Sequence, residues 1–166
     1  LGEGEHVVVE LLDTISSGNS VNSIDGIAYF EGSNLRINKP ALPIADLDAI
    51  PFPARDVSNF HYYKRYYSRG VPLVFTAHII ASRGCSFNCT FCNPSFGRKI
   101  RVRSPENILE EIRLIQKNYD CKYFHIRDEM LLGGVKKNII AFCEYILSKG
   151  KQAFYWGGTT NSNLID

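Results

Sequence analysis

The sequence predicts an α/β fold: a parallel sheet grown from successive strand–helix units, preceded by a helix, a short β-hairpin and a proline-rich connector. Three observations predict it. Strand-like and helix-like periodicity alternate through the second half of the chain. Prolines 40, 43, 51 and 53 crowd into residues 39–53 and divide that half from the first. A cysteine cluster stands directly after the first strand of the alternating half, at the sheet end where loops usually carry a site.

The elements follow in order. Gly2-Glu3-Gly4-Glu5 leads into Val8, Leu11, Leu12 and Ile15, a helical face with acids at the positive end of its dipole, and Gly18 is its expected stop. Ile27-Ala28-Tyr29-Phe30 and Leu35-Arg36-Ile37 flank Glu31-Gly32-Ser33-Asn34 as a hairpin with turn residues in the middle. Each proline of residues 39–53 fixes φ and removes a backbone donor, which predicts an extended connector. Residues 73–82 form a β-rich run. Residues 105–119 place Ile108, Leu109, Ile112 and Ile115 on one helical face, with Ser104 as N-cap and Pro105 at the first helical position. Residues 123–126 are again β-like. A helix over about 135–148 turns Val135, Ile139, Phe142, Cys143, Ile146 and Leu147 inward, closes at Gly150, and hands over to a third strand at Ala153-Phe154-Tyr155-Trp156.

Composition excludes several classes. With 45% hydrophobic and 22% charged residues the chain is neither collagenous nor wholly disordered. A formal net charge of +2 argues for neither nucleic acid nor an acidic membrane surface. The longest nearly apolar stretch, residues 73–81, is interrupted by Thr76 and His78 and falls short of the ~18 residues a membrane span needs. No membrane is therefore expected as a partner. Five cysteines without a secretory leader fit a reducing, cytoplasmic setting better than a disulfide framework. The first residue is Leu1 rather than Met, so a fragment of a longer protein is expected.

The chemistry concentrates in Cys85-Ser86-Phe87-Asn88-Cys89-Thr90-Phe91-Cys92. Three thiolates on one short loop can hold three corners of a cubane iron–sulfur cluster and leave one iron without a protein ligand. A structural zinc site is the alternative, with His78, His125 or Cys121 as fourth ligand, though zinc usually takes paired two-cysteine knuckles. An electron-transfer ferredoxin would want a fourth cysteine at other spacings.

The pattern Cys85-x3-Cys89-x-Phe91-Cys92 after the first strand of a βα series resembles the radical S-adenosylmethionine superfamily. Gly2-Glu3-Gly4-Glu5, Ile50-Pro51-Phe52-Pro53, Arg101-Val102-Arg103-Ser104-Pro105-Glu106 and the acidic pair Asp128-Glu129 further resemble the members that join a cobalamin-binding domain to the radical domain, of which the anaerobic magnesium-protoporphyrin IX monomethyl ester cyclase group is the best known. The resemblance implies that Cys85, Cys89 and Cys92 hold a 4Fe-4S cluster whose fourth iron is chelated by S-adenosylmethionine. It implies that one electron from the reduced cluster cleaves a carbon–sulfur bond to give a 5'-deoxyadenosyl radical, the cofactors supplying the hard chemistry. Phe91 matches the aromatic near the adenine in relatives. Asp128 and Glu129 follow the second strand to the same rim as the cysteines, where an acid can hold the ligand's ammonium group, Glu129 being favoured and capping of the following loop or helix the alternative for either; relatives often have two aspartates here, so the choice between them stays open.

The resemblance also sets the expected organisation: residues 1–38 as the end of a cobalamin-type domain with its hairpin, 39–70 as a linker, and 71–166 as the N-terminal half of a partial TIM-type barrel. Only 74 residues follow Cys92, about two and a half βα units at roughly 30 residues each. With no Asp-x-His-x-x-Gly pattern, cobalamin binding is not expected of this piece, and whether the full-length protein binds it stays open. A small-molecule substrate and an external electron donor are the implied partners, and an isolated half-barrel with open strand edges is expected to be inactive and to self-associate.

Other features carry less. The cations of Gly97-Arg98-Lys99-Ile100-Arg101-Val102-Arg103 are read as a solvated loop. Thr159, Thr160, Asn161 and Asn163 are candidate pocket residues, and His125 is read as a satisfied core histidine. The aromatic and cationic segment 60–69 supports a second hypothesis, a small iron–sulfur or zinc module gripping RNA, for which salt-dependent binding lost on changing Lys64, Arg65 and Arg69 is the test. The weak global charge makes nucleic acid the less favoured partner.

Overall fold

A computed structural model describes residues 2–58, 75–93, 95–131, 136–150 and 152–165. The chain divides into two units, Leu1–Ala45 and Asp46–Asp166. Segment 60–69, Val135 and the start of the run at 73 lie outside the described residues.

The first unit opens with helix α1, Glu5–Ser16, which carries Glu5 in its first turn. Its apolar side chains Val8, Leu12 and Ile15 remain exposed, so the periodic face exists but is not packed. After a 3-10 turn at Val21–Ser23, strands β1 (Ala28–Glu31) and β2 (Asn34–Ile37) pair antiparallel. The expected four-residue turn is tighter, because Glu31 pairs with Asn34 and only Gly32 and Ser33 turn the chain. Gly32 sits at φ +61, the left-handed conformation that such a turn demands. The Asn38 side-chain amide ties this hairpin to the preceding turn by donating to the carbonyl of Ile24 at 2.7 Å.

The second unit contains strand β3 (Thr76–Ile79), strand β4 (Ser82–Arg83), strand β5 (Arg101–Val102), helix α2 (Pro105–Tyr119), strand β6 (Tyr123–Ile126), helix α3 (Lys136–Ser148) and strand β7 (Tyr155–Gly158). Strands β3, β6 and β7 form a parallel sheet in that order, with Ile79 opposite Ile126 and Ile126 opposite Gly158. Two successive crossovers stepping the same way put both helices on one face, as in a barrel and unlike a doubly wound sheet. The core follows from that: Ala77, Ile79, Phe124 and Ile126 from the strands meet Ile112 and Ile115 of α2 and Phe142 and Ile146 of α3. Each fully buried isoleucine contributes about 2 kcal/mol of burial, and Phe142 and Trp156 pack edge-on at 5.4 Å between centroids.

Helix α2 begins as the sequence reads it, with Ser104 Oγ accepting from the Asn107 amide at 3.1 Å and Pro105 following. Helix α3 buries Phe142 and Ile146, but Leu147 is 77% exposed and does not turn inward. The predicted strand over residues 73–82 differs too: among its described residues the parallel run ends at Ile79, and a separate antiparallel pair, β4 with β5, begins at Ser82. No helix among the described residues is long and apolar enough to cross a membrane.

Candidate metal and nucleotide site

Strands β4 and β5 are the two legs of a hairpin whose head is the cysteine loop. Ser82 pairs with Val102 and Arg83 with Arg101 at its base. Above the base, Gly84 adopts φ +95 and passes so close to the other leg that a Cβ there would lie 2.4 Å from the Lys99 carbonyl oxygen. Only glycine fits that crossing. The Cys85 amide then donates to the Gly97 carbonyl at 3.1 Å, and the Cys92 amide donates to the Cys89 carbonyl at 3.2 Å. Cys85 is half-buried, Cys89 and Cys92 are exposed, and none of the three is in a disulfide. Phe91 stands out from the loop with 91% of its surface exposed.

The two acids after β6 have different work. Asp128 reaches back to the break between β3 and β4, where Oδ1 accepts from the amides of Ala81 at 2.8 Å and Ser82 at 3.0 Å, and Oδ2 accepts from Ser82 Oγ at 2.6 Å. Burial pushes its carboxyl up from the usual range, opposed by those three hydrogen bonds and by the charge of Arg103. Both of its oxygens are occupied by this chain. Glu129 instead reaches the cysteine hairpin: Oε1 accepts from the Ser95 and Phe96 amides, just beyond Cys92. Its other oxygen, Oε2, is buried with no hydrogen-bond partner among the described residues.

The cationic run is not a solvated loop throughout. Arg101 is buried and donates to the Phe96 carbonyl at 3.1 Å, closing the hairpin from inside. Arg103 donates to the Ile80 carbonyl at 2.9 Å and to Asn107 Oδ1 at 2.6 Å, and pairs with Glu111. Glu111, with a side chain 1% exposed, also pairs with Arg55 at 2.6 Å. This Arg55–Glu111–Arg103 triad was not legible in the sequence, because Glu111 occupies an ordinary polar position beside the apolar stripe of α2. Arg101 and Arg103 had at most a weak signal: alternation sets them on one face and Ile100 and Val102 on the other, without saying which face is buried.

Other candidates are placed as follows. Cys121 is buried and its Sγ donates to the Tyr123 carbonyl at 3.1 Å, burial pushing the thiol up; it is bound to the backbone rather than to the cysteine loop. His125 is not a core histidine, since it lies on the sheet face opposite the helices. Thr160 Oγ1 lies 3.8 Å from Met130 Sδ, and Asn161 and Asn163 are exposed around a 3-10 turn.

The donor set fits an iron–sulfur cluster, being three free thiols on one hairpin held in place from the next strand. Among the described residues no three His, Cys, Asp or Glu side chains are drawn together closely enough to hold a single metal ion. The donors are thus present on one loop without being gathered at one point.

Comparisons with known proteins bear on this arrangement. Residues 79–162 match the family model described as the Radical SAM superfamily, in which SAM is S-adenosylmethionine. An uncharacterized methyltransferase of Pyrococcus horikoshii is 34% identical over 140 residues, covering 83% of this chain and 29% of that protein. The anaerobic magnesium-protoporphyrin IX monomethyl ester cyclase of Rubrivivax gelatinosus is 33% identical over 165 residues, covering 96% of this chain and 28% of that protein. The fold is similar to the cobalamin-dependent S-adenosylmethionine radical enzyme OxsB with aqua-cobalamin bound, at TM-score 0.72 and 22% identity over 93% of this chain and 22% of that one. The chain therefore spans less than a third of the length of these relatives. The matched region begins at Ile79 and takes in the cysteine hairpin, both acids and the two crossovers, and on that match the chain belongs to the Radical SAM superfamily.

Proposed function

We propose that this chain carries the cluster loop and part of the S-adenosylmethionine site of a radical enzyme of methyltransferase or cyclase type, from the branch in which the radical domain accompanies a cobalamin-binding domain. One observation carries the reading: the Cys85-x3-Cys89-x2-Cys92 hairpin leaves the C-terminal side of the first strand and is gripped by Glu129 from the C-terminal end of the second.

Cys85, Cys89 and Cys92 would hold a 4Fe-4S cluster by three corners. When bound, that cluster supplies an electron for reductive cleavage of the carbon–sulfur bond of S-adenosylmethionine. The chain's own residues prepare the site. Gly84 lets the two legs of the hairpin cross, and Asp128 fixes the chain reversal from which the hairpin springs. Glu129 is the better candidate of the two acids for the ligand's ammonium group. Both Asp128 oxygens already accept hydrogen bonds from this chain, whereas Glu129 Oε2 is buried and has no partner among the described residues. A buried acceptor left unmade costs about 1–3 kcal/mol, which an incoming N–H recovers. The exposed ring of Phe91 is available to lie against an adenine.

The reading is tested by anaerobic reconstitution with iron and sulfide. Wild type is expected to take up about four irons per chain, and Cys85→Ser, Cys89→Ser and Cys92→Ser to lose most of that uptake. Glu129→Gln is expected to keep the iron while binding S-adenosylmethionine at least about tenfold more weakly. Iron uptake unaffected by the three serine substitutions would refute the proposal.

A further inference from the structure

Alternation of side chains gives the three-stranded sheet two unlike faces. Ala77, Ile79, Phe124 and Ile126 lie in the core with α2 and α3. Between them in sequence, His78 of β3, His125 of β6 and Gly157 of β7 are register partners across the sheet, and all three line a cavity of about 220 Å³ on the other face. The two imidazole centroids are 5.8 Å apart. At Gly157 an added Cβ would meet nothing within 4 Å among the described residues, so the place beside His125 that a side chain of β7 would fill is left open. Tyr123 and Tyr155, stacked at 5.1 Å, line the same cavity two residues earlier on their strands.

The spacing of the two rings suits one metal ion held between them. A divalent ion stands about 2.1 Å from an imidazole nitrogen, so two rings sharing it, at any angle from tetrahedral to linear, have centroids about 5–6.5 Å apart. The observed separation lies within that range. Among the described residues the cavity is lined by no Asp or Glu, which disfavours the oxygen-seeking ions magnesium and calcium and leaves nitrogen as the donor. Arg127 is exposed beyond the end of β6 and does not line the cavity, so solvent screens its opposition to a cation. We propose that His78 and His125 together bind a divalent transition-metal ion of the nickel or zinc kind, with the open space over Gly157 receiving its remaining ligands. Among the described residues no third His, Cys, Asp or Glu joins the pair, so the chain itself supplies two ligands. The site uses none of the residues of the cysteine hairpin and does not depend on the function proposed for them.

The test is a nickel titration of the 166-residue chain carrying Cys85→Ser, Cys89→Ser and Cys92→Ser, followed by proton NMR of the histidine rings. The three substitutions remove the competing thiols, and paramagnetic nickel broadens the signals of the rings it binds. Exposed His6 of α1 serves as internal reference. His78 and His125 are expected to broaden together, at a nickel concentration at least about tenfold below the one that broadens His6, because two linked ligands hold an ion more tightly than one. His78→Gln is expected to return His125 to the behaviour of His6, and His125→Gln to do the same for His78. Broadening of the pair no earlier than that of His6 would overturn the proposal, as would broadening of either ring that loss of the other leaves unchanged.

Discussion

Ser82 and Asp128 are joined twice: the Ser82 amide donates to Oδ1 at 3.0 Å and the Ser82 hydroxyl donates to Oδ2 at 2.6 Å. The clasp fixes the point where the first strand of the parallel sheet stops and the cysteine hairpin starts, so the carboxylate acts on the site through backbone geometry. Asp128→Ala removes three hydrogen bonds to a largely buried group and is expected to lower stability by about 3 kcal/mol. Urea denaturation measures it, and hydrogen exchange should accelerate first at the Ala81 and Ser82 amides.

Gly84 sits where two chain segments nearly touch. Gly84→Ala places a methyl group 2.4 Å from the Lys99 carbonyl oxygen at a φ of +95, so the hairpin must open. The expected outcome is a loss of most of the reconstituted iron. Gly4→Ala, where an added Cβ meets nothing within 4 Å, should leave iron uptake unchanged. Iron analysis of the two variants side by side is the measurement.

Glu111 offers one oxygen to each of two arginines that are each about nine-tenths buried. Glu111→Ala takes the shared carboxylate away from both buried cations and should cost about 4 kcal/mol, read from the denaturant midpoint. Replacing Arg55, Glu111 and Arg103 together by apolar residues of similar size should cost less than Glu111→Ala alone, because desolvation of all three charges is then avoided.

Legibility followed the range of the interaction. Helix α2 was readable to its cap because Ser104, Pro105 and the isoleucine stripe are all local signals. The parallel strands at 76–79 and 123–126 were readable as parts of β-rich runs. The strand break at Ile80 was not, since what imposes it is a carboxylate 46 residues away from Ser82. Glu111 was hidden for the same reason: its partners Arg55 and Arg103 lie 56 and 8 residues off. For the site, the three cysteines are marked by spacing alone. The proposed preference for Glu129 over Asp128 rests on which oxygen atoms the chain already uses, and spacing does not report that. His125 was misread because an apolar strand with one open face resembles a strand buried on both.

The histidine pair gives stability a pH dependence of definite sign. In the folded chain both imidazoles titrate below the ordinary 6.5, through burial first and Arg127 second. As pH falls through 6.5 the unfolded chain takes up protons that the folded chain refuses. Stability is therefore whole above that value, declines as pH drops below it, and levels once the folded imidazoles are themselves protonated. Urea midpoints between about pH 7.5 and 5 should show the decline, and the double substitution His78→Gln with His125→Gln should flatten it.

The most direct measurement is electron paramagnetic resonance of the anaerobically reconstituted, reduced chain before and after S-adenosylmethionine is added. A cluster held by Cys85, Cys89 and Cys92 alone should change its spectrum on addition, and Cys121→Ser or Cys143→Ser should leave that change intact. A spectrum indifferent to S-adenosylmethionine, with a fourth side chain of the protein bound to the remaining iron, would contradict it.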